Sequence, residues 1–542
     1  MPSQAHKKAL DVLIVGAGFS GMYLLHRLRE AGFATLVIEA APEVGGTWYH
    51  NRYPGLRCDV DSLEYQYSWS EELRRGWRWS ERYSPQPEIL DYAKWVADQL
   101  DLRRDIQFNT RVERAVWNDG QQCWSATTEN GEVLIARHLV FATGALAVPR
   151  LPDIDGIECY EGQLIHTANW PSDPVEFAGK RVGLIGTGSS GIQVATAIAP
   201  EVGHLNVFQR SAAYSIPAQN HPLTDADYDR FLGDLEMFDK MAMGTPGGIV
   251  LTPPTLATRD VSDEERDEIL NACWSEGGAF KFSASFTDIR TDEESNALIA
   301  AFVHRKIREV VKDTDTADAL CPKYLFGTRR NCVDTGYFEI FNRDNVGLVD
   351  VSDDPIAEFT EAGLMLASGK EFALDAIILA TGYDAMTGAF LSVDVRGRDG
   401  VTNQDAWRGG PVNLLGLMIS GFPNLFTVTG PGSPSVLTNV IRSIEYHVDW
   451  ITRCFEDMRE QGYGVIEATP KAQADWVAHV NEVADATLFT RTPSWYCGAD
   501  IPGKPKVFMP YAGGLPNYRD KAEHVAAHGY EGFSLTKLTG TL

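Results

Sequence analysis

Hydrophobic positions along this chain follow two periods. Short apolar runs recur at Val12-Leu-Ile-Val15, Leu36-Val-Ile38, Leu139-Val-Phe141, Leu184-Ile185 and Ile377-Ile-Leu379. Runs this short, apolar on both faces and closed by glycine or a polar residue, read as buried strands of a parallel sheet. Between them lie stretches with helical spacing. The clearest carries Leu298, Ile299, Phe302, Val303, Ile307, Val310 and Val311 on one face, a stripe expected to be packing core rather than ligand surface. Thr291-Asp-Glu-Glu294 ahead of it and Ser262-Asp-Glu-Glu265 read as capping boxes. Asn439 to Gln461 reads as another helix, and residues 217–327 as largely helical and acidic.

Two of the apolar runs feed glycine-rich turns that open helices. The first reads Gly16-Ala-Gly18-Phe-Ser-Gly21, and its unit closes at Glu39; the second reads Gly186-Thr187-Gly188-Ser189-Ser190-Gly191 and closes at Arg210. Such a turn aims backbone N–H groups and the positive end of a helix dipole at a pyrophosphate. The Glu39 carboxylate would accept hydrogen bonds from a free ribose and repel a 2′-phosphate, whereas the Arg210 guanidinium would receive that phosphate. The first unit should therefore hold FAD or NAD and the second NADPH.

The expected fold is α/β, with two Rossmann-like dinucleotide-binding domains, the second inserted in the first, and a helical subdomain. Leu139-Val-Phe-Ala-Thr-Gly144 and Ile377-Ile-Leu-Ala-Thr-Gly382 both end in Thr-Gly. They are expected to mark where the chain leaves the first domain and re-enters it. The boundaries that follow are 1–145 (FAD domain, first part), 146–216 (NADP domain, first part), 217–327 (helical subdomain), 328–371 (NADP domain, second part) and 372–542 (FAD domain, second part).

With 542 residues the chain has room for several domains. Lys+Arg 48 against Asp+Glu 74 gives a net charge of −26 without a long basic stripe, which argues against nucleic acid and anionic membrane surfaces as partners. Its eight cysteines form no CxxC pair, so neither a metal site nor a disulfide framework is expected, and the chain reads as cytoplasmic. Asp11 interrupts the apolar run after His6-Lys7-Lys8, which argues against a signal peptide there, and no stretch is long enough to span a membrane.

The residues after the first unit choose among chemistries. A disulfide reductase would need a cysteine pair soon after Gly45-Gly46. This chain has Thr47-Trp48, and Cys58 stands alone. Gly45-Gly46-Thr47-Trp48 followed by Tyr53-Pro54-Gly55 and Asp59 resembles one fingerprint of the type I Baeyer–Villiger monooxygenases. Tyr160, Gly162, His166 and Trp170-Pro171 match the family's other fingerprint, an aromatic residue, Gly, His and Trp-Pro at fixed spacing. Arg329-Arg330, Ala380-Thr-Gly-Tyr-Asp384, Gly430-Pro-Gly-Ser-Pro434 and Ser494-Trp495-Tyr extend the resemblance over essentially the whole chain. Within the family it is nearest to the phenylacetone, steroid and cyclohexanone monooxygenases.

The resemblance implies FAD, NADPH and O2 as reactants with a small ketone, which becomes an ester or lactone through a flavin C4a-peroxide. Arg330 is then the fixed cation that stabilises negative charge on the reacting oxygens, and Asp59 its bidentate partner. Gly46, Thr47 and Trp48 would contact the flavin nucleotide. Arg329 would share the 2′-phosphate with Arg210. Trp495 would sit on a loop that closes over cofactor and substrate, and Ser435, Val436 and Leu437 would line the ketone pocket. A lone His beside Trp170-Pro171 reads as structural, so His166, with Gly162, is expected to shape the joint between domains. A monomer or weak oligomer is expected. Two positions depart from the family pattern: His50 replaces a second Trp, and Asp500 the usual Asn. A flavin enzyme oxidising nitrogen or sulfur and a silent NADPH-binding protein are the rival readings.

Overall fold

The computed structural model describes residues 10–539; the His6-Lys7-Lys8 segment lies outside the described residues. The first strand, Leu10–Val15, is central to an eight-stranded sheet and pairs in parallel with Thr35–Ile38 on one side and Val133–Phe141 on the other. Its residues Val12 to Ile14 have no exposure because helices cover one face and a β-meander and later segments the other. The meander Val112–Asn118, Cys123–Thr128 and Val133–Phe141 is antiparallel, and two late strands, Asp394–Arg396 and Leu425–Thr427, complete the sheet.

The second sheet has five strands, all parallel, in the order Val346–Asp350, His204–Gln209, Arg181–Ile185, Ala376–Leu379, Gln163–His166. The expected boundary at 371/372 therefore needs correction: Ala376–Leu379 belongs to the second sheet, between Arg181–Ile185 and Gln163–His166. The chain rejoins the first sheet only at Asp394–Arg396.

The two Ala-Thr-Gly segments have a common reason that the strand pattern alone concealed. A Cβ on Gly16 would lie 2.8 Å from the Ala142 carbonyl oxygen, and one on Gly186 2.4 Å from that of Ala380. Both glycines also sit at positive φ, 103° and 109°. Each Ala-Thr-Gly strand thus presses its carbonyl against the first glycine of its own nucleotide turn. Only glycine tolerates both the approach and the torsion.

Between the sheets' sequence halves lie the helices Asp225–Gly233, Leu235–Met243, Asp263–Glu276, Glu293–Val310 and Thr314–Ala319. Ser262 and Glu265 form a reciprocal capping box. Ahead of Glu293–Val310 the cap is Asp292 accepting from the Ser295 N–H, one residue later than the expected Thr291, because the helix begins at Glu293 and Asp292 is the last residue with extended backbone. Ile299, Phe302, Val303, Ile307 and Val311 are buried in the core of the second sheet, while Leu298 is exposed. Val440–Gln461, capped by Asn439 and ended by left-handed Gly462, packs on the helix Phe19–Glu30 of the first unit. No helix among the described residues is long and apolar enough to cross a membrane.

Candidate active site

Both glycine turns end in helices whose first N–H groups lack a side-chain cap. Gly18 caps Phe19–Glu30 and Gly188 caps Ser189–Ile198, neither with a side-chain hydrogen bond. Uncapped N–H groups at a helix start are donors waiting for an anion. In the first unit the backbone of Gly46 faces Gly18 so closely that a Cβ on Gly46 would lie 3.0 Å from the Gly18 Cα. In the second, a Cβ on Gly188 would meet nothing within 4 Å. Both cradles fit a pyrophosphate of a dinucleotide.

The residues at the strand ends differ as their chemistry requires. Glu39 is buried, and its two oxygens accept from the backbone N–H of Ala17 (2.6 Å) and Ala41 (2.7 Å). The carboxylate therefore braces the glycine turn and keeps further lone pairs for a ribose. Arg210 is exposed at the end of His204–Gln209. Arg329 comes to the same place: its Nη1 donates to the Ser211 Oγ (3.2 Å), and Nη2 donates to the Pro493 carbonyl (2.9 Å). Thr187 donates to the Ser211 carbonyl (2.9 Å), tying the second glycine turn to the segment that Arg329 also bonds.

Asp59 and Arg330, separated by 271 positions, meet bidentately. Nε to Oδ2 is 2.5 Å and Nη2 to Oδ1 is 2.8 Å. The third contact is from Nη1 to the Val436 carbonyl, 2.5 Å. The loop bearing Asp59 reaches across because it docks on the helix of the second unit: Tyr53 donates to Gln193 Oε1 (3.0 Å), and Gln193 Nε2 donates to the Arg57 carbonyl (3.1 Å). Burial opposes both charges, yet the pairing prevails. It holds Asp59 below the ordinary carboxylate range and raises Arg330 further. Both side chains remain 24% exposed, so the pair opens to solvent space rather than being sealed in the core. Arg330 also lies over the Phe280 ring, 5.1 Å from its centroid.

That open side is a cavity lined by Arg330, Arg329, Arg290, Phe280, Val436, Leu437, Phe489 and Tyr496, among others, with no acidic residue in its wall. Ser435 is buried at φ 41°, and Met386, whose Sδ its hydroxyl meets at 3.8 Å, sits at φ 68°. Two non-glycine residues in the left-handed region, beside Arg330's carbonyl partner, store backbone strain at this turn. Trp495 packs with Val436 and Tyr496. The segment carrying it is tied back through the Pro493 carbonyl to Arg329, so loop and phosphate donors are linked.

His166 lies elsewhere. Its Nδ1 accepts from the Ala168 N–H (3.0 Å), which leaves the proton on Nε2 facing the Arg150 carbonyl (3.1 Å). Burial lowers its pKa, so it is a neutral, fully engaged ring. Gly162 is required because a Cβ there would strike the Tyr160 hydroxyl, which donates to the Leu374 carbonyl. Trp170 is buried against Phe177, and Pro171 is exposed. Trp48 donates to the Tyr65 hydroxyl (3.0 Å); Thr47 is exposed at the start of the same helical turn. Ser189 donates toward Cys332 Sγ (3.4 Å), and Ser190 follows it at the start of the helix that Gly191 lets pack against the Gly186 carbonyl. Of the two departures, Asp500 faces Arg150 (3.6 Å), and His50 turns its ring edge-on to Tyr49.

Sequence reasoning missed Arg290, Phe280 and Tyr496. Tyr496 adjoins the Trp495 fingerprint and could have been taken with it. Arg290 and Phe280 sit in the helical insertion without any motif, so only the fold brings them to the cavity. All eight cysteines are free, and no metal-holding group of His, Cys, Asp or Glu occurs among the described residues.

A family profile described as pyridine nucleotide-disulphide oxidoreductase matches residues 13–223. The chain is 42% identical to a Baeyer–Villiger monooxygenase of Pseudooceanicola batsensis over 96% of its own length and 95% of that protein's. It is 38% identical to a phenazine N-monooxygenase of Lysobacter antibioticus, covering 98% and 97%. Among solved structures, an oxidized steroid monooxygenase bound to NADP superimposes with a TM-score of 0.93 at 46% identity, covering 98% of this chain and 100% of that one.

Proposed function

The chain belongs to the Baeyer–Villiger monooxygenase family, and from that premise we propose that it inserts one atom of O2 beside the carbonyl of a small ketone. The balanced reaction is ketone + NADPH + H⁺ + O2 → ester or lactone + NADP⁺ + H2O. The observation that carries this reading is the bidentate Asp59–Arg330 pair at the junction of the two nucleotide units, facing a cavity without acids.

The Gly16–Gly21 turn, Gly46 and Glu39 would hold FAD, and Thr47 and Trp48 would flank it. The Gly186–Gly191 turn, with Thr187, Ser189, Ser190, Arg210 and Arg329, would hold NADPH. Bound FAD supplies the redox and oxygen chemistry. The chain supplies position and charge. Arg330 spends three of its N–H donors on Asp59 and Val436. A guanidinium has five, so two remain to face oxyanions that develop during addition to the ketone. Its permanent charge stabilises them without giving up a proton, a role Lys or His fills less well. Trp495, Ser435, Val436 and Leu437 would close the pocket and exclude water. Gly162, His166, Trp170 and Pro171 would set the joint between the units.

Adding a ketone to the yellow holoenzyme should raise NADPH consumption and produce an ester; NADPH oxidation indifferent to every ketone class overturns the reading. Arg210→Ala is expected to narrow the NADPH-over-NADH preference in kcat/KM by roughly tenfold or more, since it removes a charge-assisted phosphate contact. An unchanged ratio refutes that assignment. Oxidation of an aromatic nitrogen is a second reading, favoured by the full-length similarity to the phenazine N-monooxygenase. An N-heteroaromatic substrate tested beside the ketones separates the two.

A further inference from the structure

Three guanidiniums line the cavity, and two of them have a counterpart. Arg330 is paired with Asp59, and Arg329, bonded to Ser211 and Pro493, is assigned above to a cofactor phosphate. Arg290 is the third. Its guanidinium has no ion-pair or hydrogen-bond partner among the described residues; only its carbonyl is used, accepting from the Leu488 N–H at 2.8 Å. The acids around it are committed elsewhere. Asp288 accepts from Thr258 and Ser295, Asp292 and Glu294 bind Arg259, and Glu293 binds Arg491.

Arg290 faces the cavity beside aromatic rings. The Phe489 centroid lies 6.0 Å from its Cζ, and the buried Tyr496 lines the same cavity as Arg290 and Arg330. Arg290 is an exposed residue that lines the same acid-free recess as Arg330, and with no carboxylate bonded to it its charge is free to meet an anionic ligand there.

We propose that Arg290 recognises a carboxylate carried by the ketone, so that the preferred substrates are keto acids whose carbonyl lies at Arg330 while the acid reaches Arg290. This rests on the ketone-oxygenating function proposed above. The same guanidinium chemistry would also suit a phosphate of NADPH, and the test separates the two sources.

A keto acid such as 4-acetylbenzoate and its neutral methyl ester are compared as substrates of the holoenzyme. The wild type should favour the acid in kcat/KM, and added salt should erode that preference. Arg290→Gln should reduce the acid-to-ester ratio by roughly ten- to a hundredfold, the span of a lost hydrogen bond to a charged group. The KM for NADPH should stay within about twofold in this variant, because the phosphate contacts are elsewhere. A wild type that prefers the ester, or a variant that leaves the ratio intact, overturns the proposal. A rise in the NADPH KM with an intact ratio assigns Arg290 to the cofactor instead. Should Arg290→Gln fold poorly, the wild-type preference and its salt dependence still decide. If neither acid nor ester is oxygenated, the ketone reading itself has failed, and binding of benzoate to the wild type then tests the anion site alone: benzoate should bind, more weakly as salt is added, and its failure to bind overturns the proposal.

Discussion

Arg330→Ala is expected to lower ester formation by roughly 10²–10³-fold, the scale of losing one preorganised donor to a developing oxyanion. Flavin reduction by NADPH should survive largely intact. Arg330 lies at the junction rather than in either glycine turn, and its partners are Asp59 and the Val436 carbonyl rather than the Gly186–Gly191 cradle. The variant should therefore oxidise NADPH without coupling it to product. Stopped-flow reduction and product yield per NADPH, measured on one preparation, check both halves. Near-wild-type ester yield refutes the charge role. Loss of reduction and oxygenation together would place Arg330 in NADPH binding instead.

Asp59→Asn should be the next most damaging change, with oxygenation falling by roughly ten- to a hundredfold. The amide keeps one acceptor but removes the countercharge, leaving a half-buried guanidinium held by Val436 alone on its other side. Arg330 would then sample other orientations, so product yield per NADPH should fall more than the reduction rate. The pH dependence follows from the direction of the shift. A carboxylate held below its ordinary pKa contributes stability above the unfolded value, and that stability is lost only as pH falls through the depressed folded value. Asp59 should therefore add no limb to the pH–rate profile between about pH 6 and 9. A wild-type limb in that window that vanishes in Asp59→Asn contradicts the assigned ionisation.

Much of this was legible before the structure because strand–turn–helix units are local. The Gly16 and Gly186 turns, the strand ends at Glu39 and Arg210, and the Asn439-capped helix all rest on contacts within a few tens of residues. What escaped was non-local. The segment Ala376–Leu379 looks like any apolar strand; its membership in the second sheet depends on pairing with Arg181–Ile185, nearly two hundred positions earlier. The shared Ala-Thr-Gly pattern reads as one domain left and re-entered, whereas each segment abuts the first glycine of a different unit. Arg290 carries no motif, because an arginine in a loop becomes a site only when Tyr496 and Arg330 arrive beside it. Asp59 and Arg330 could be named together only through the family fingerprint, since no period or spacing links positions 271 apart.

The most direct measurement is the product formed by the holoenzyme from a ketone, NADPH and ¹⁸O2, analysed by mass spectrometry. The account predicts an ester or lactone carrying one ¹⁸O at the ring or bridging oxygen, one product per NADPH in the wild type and almost none in Arg330→Ala. Unlabelled ester, a ketone hydroxylated on carbon, or a labelled ester made equally well without Arg330 would contradict it.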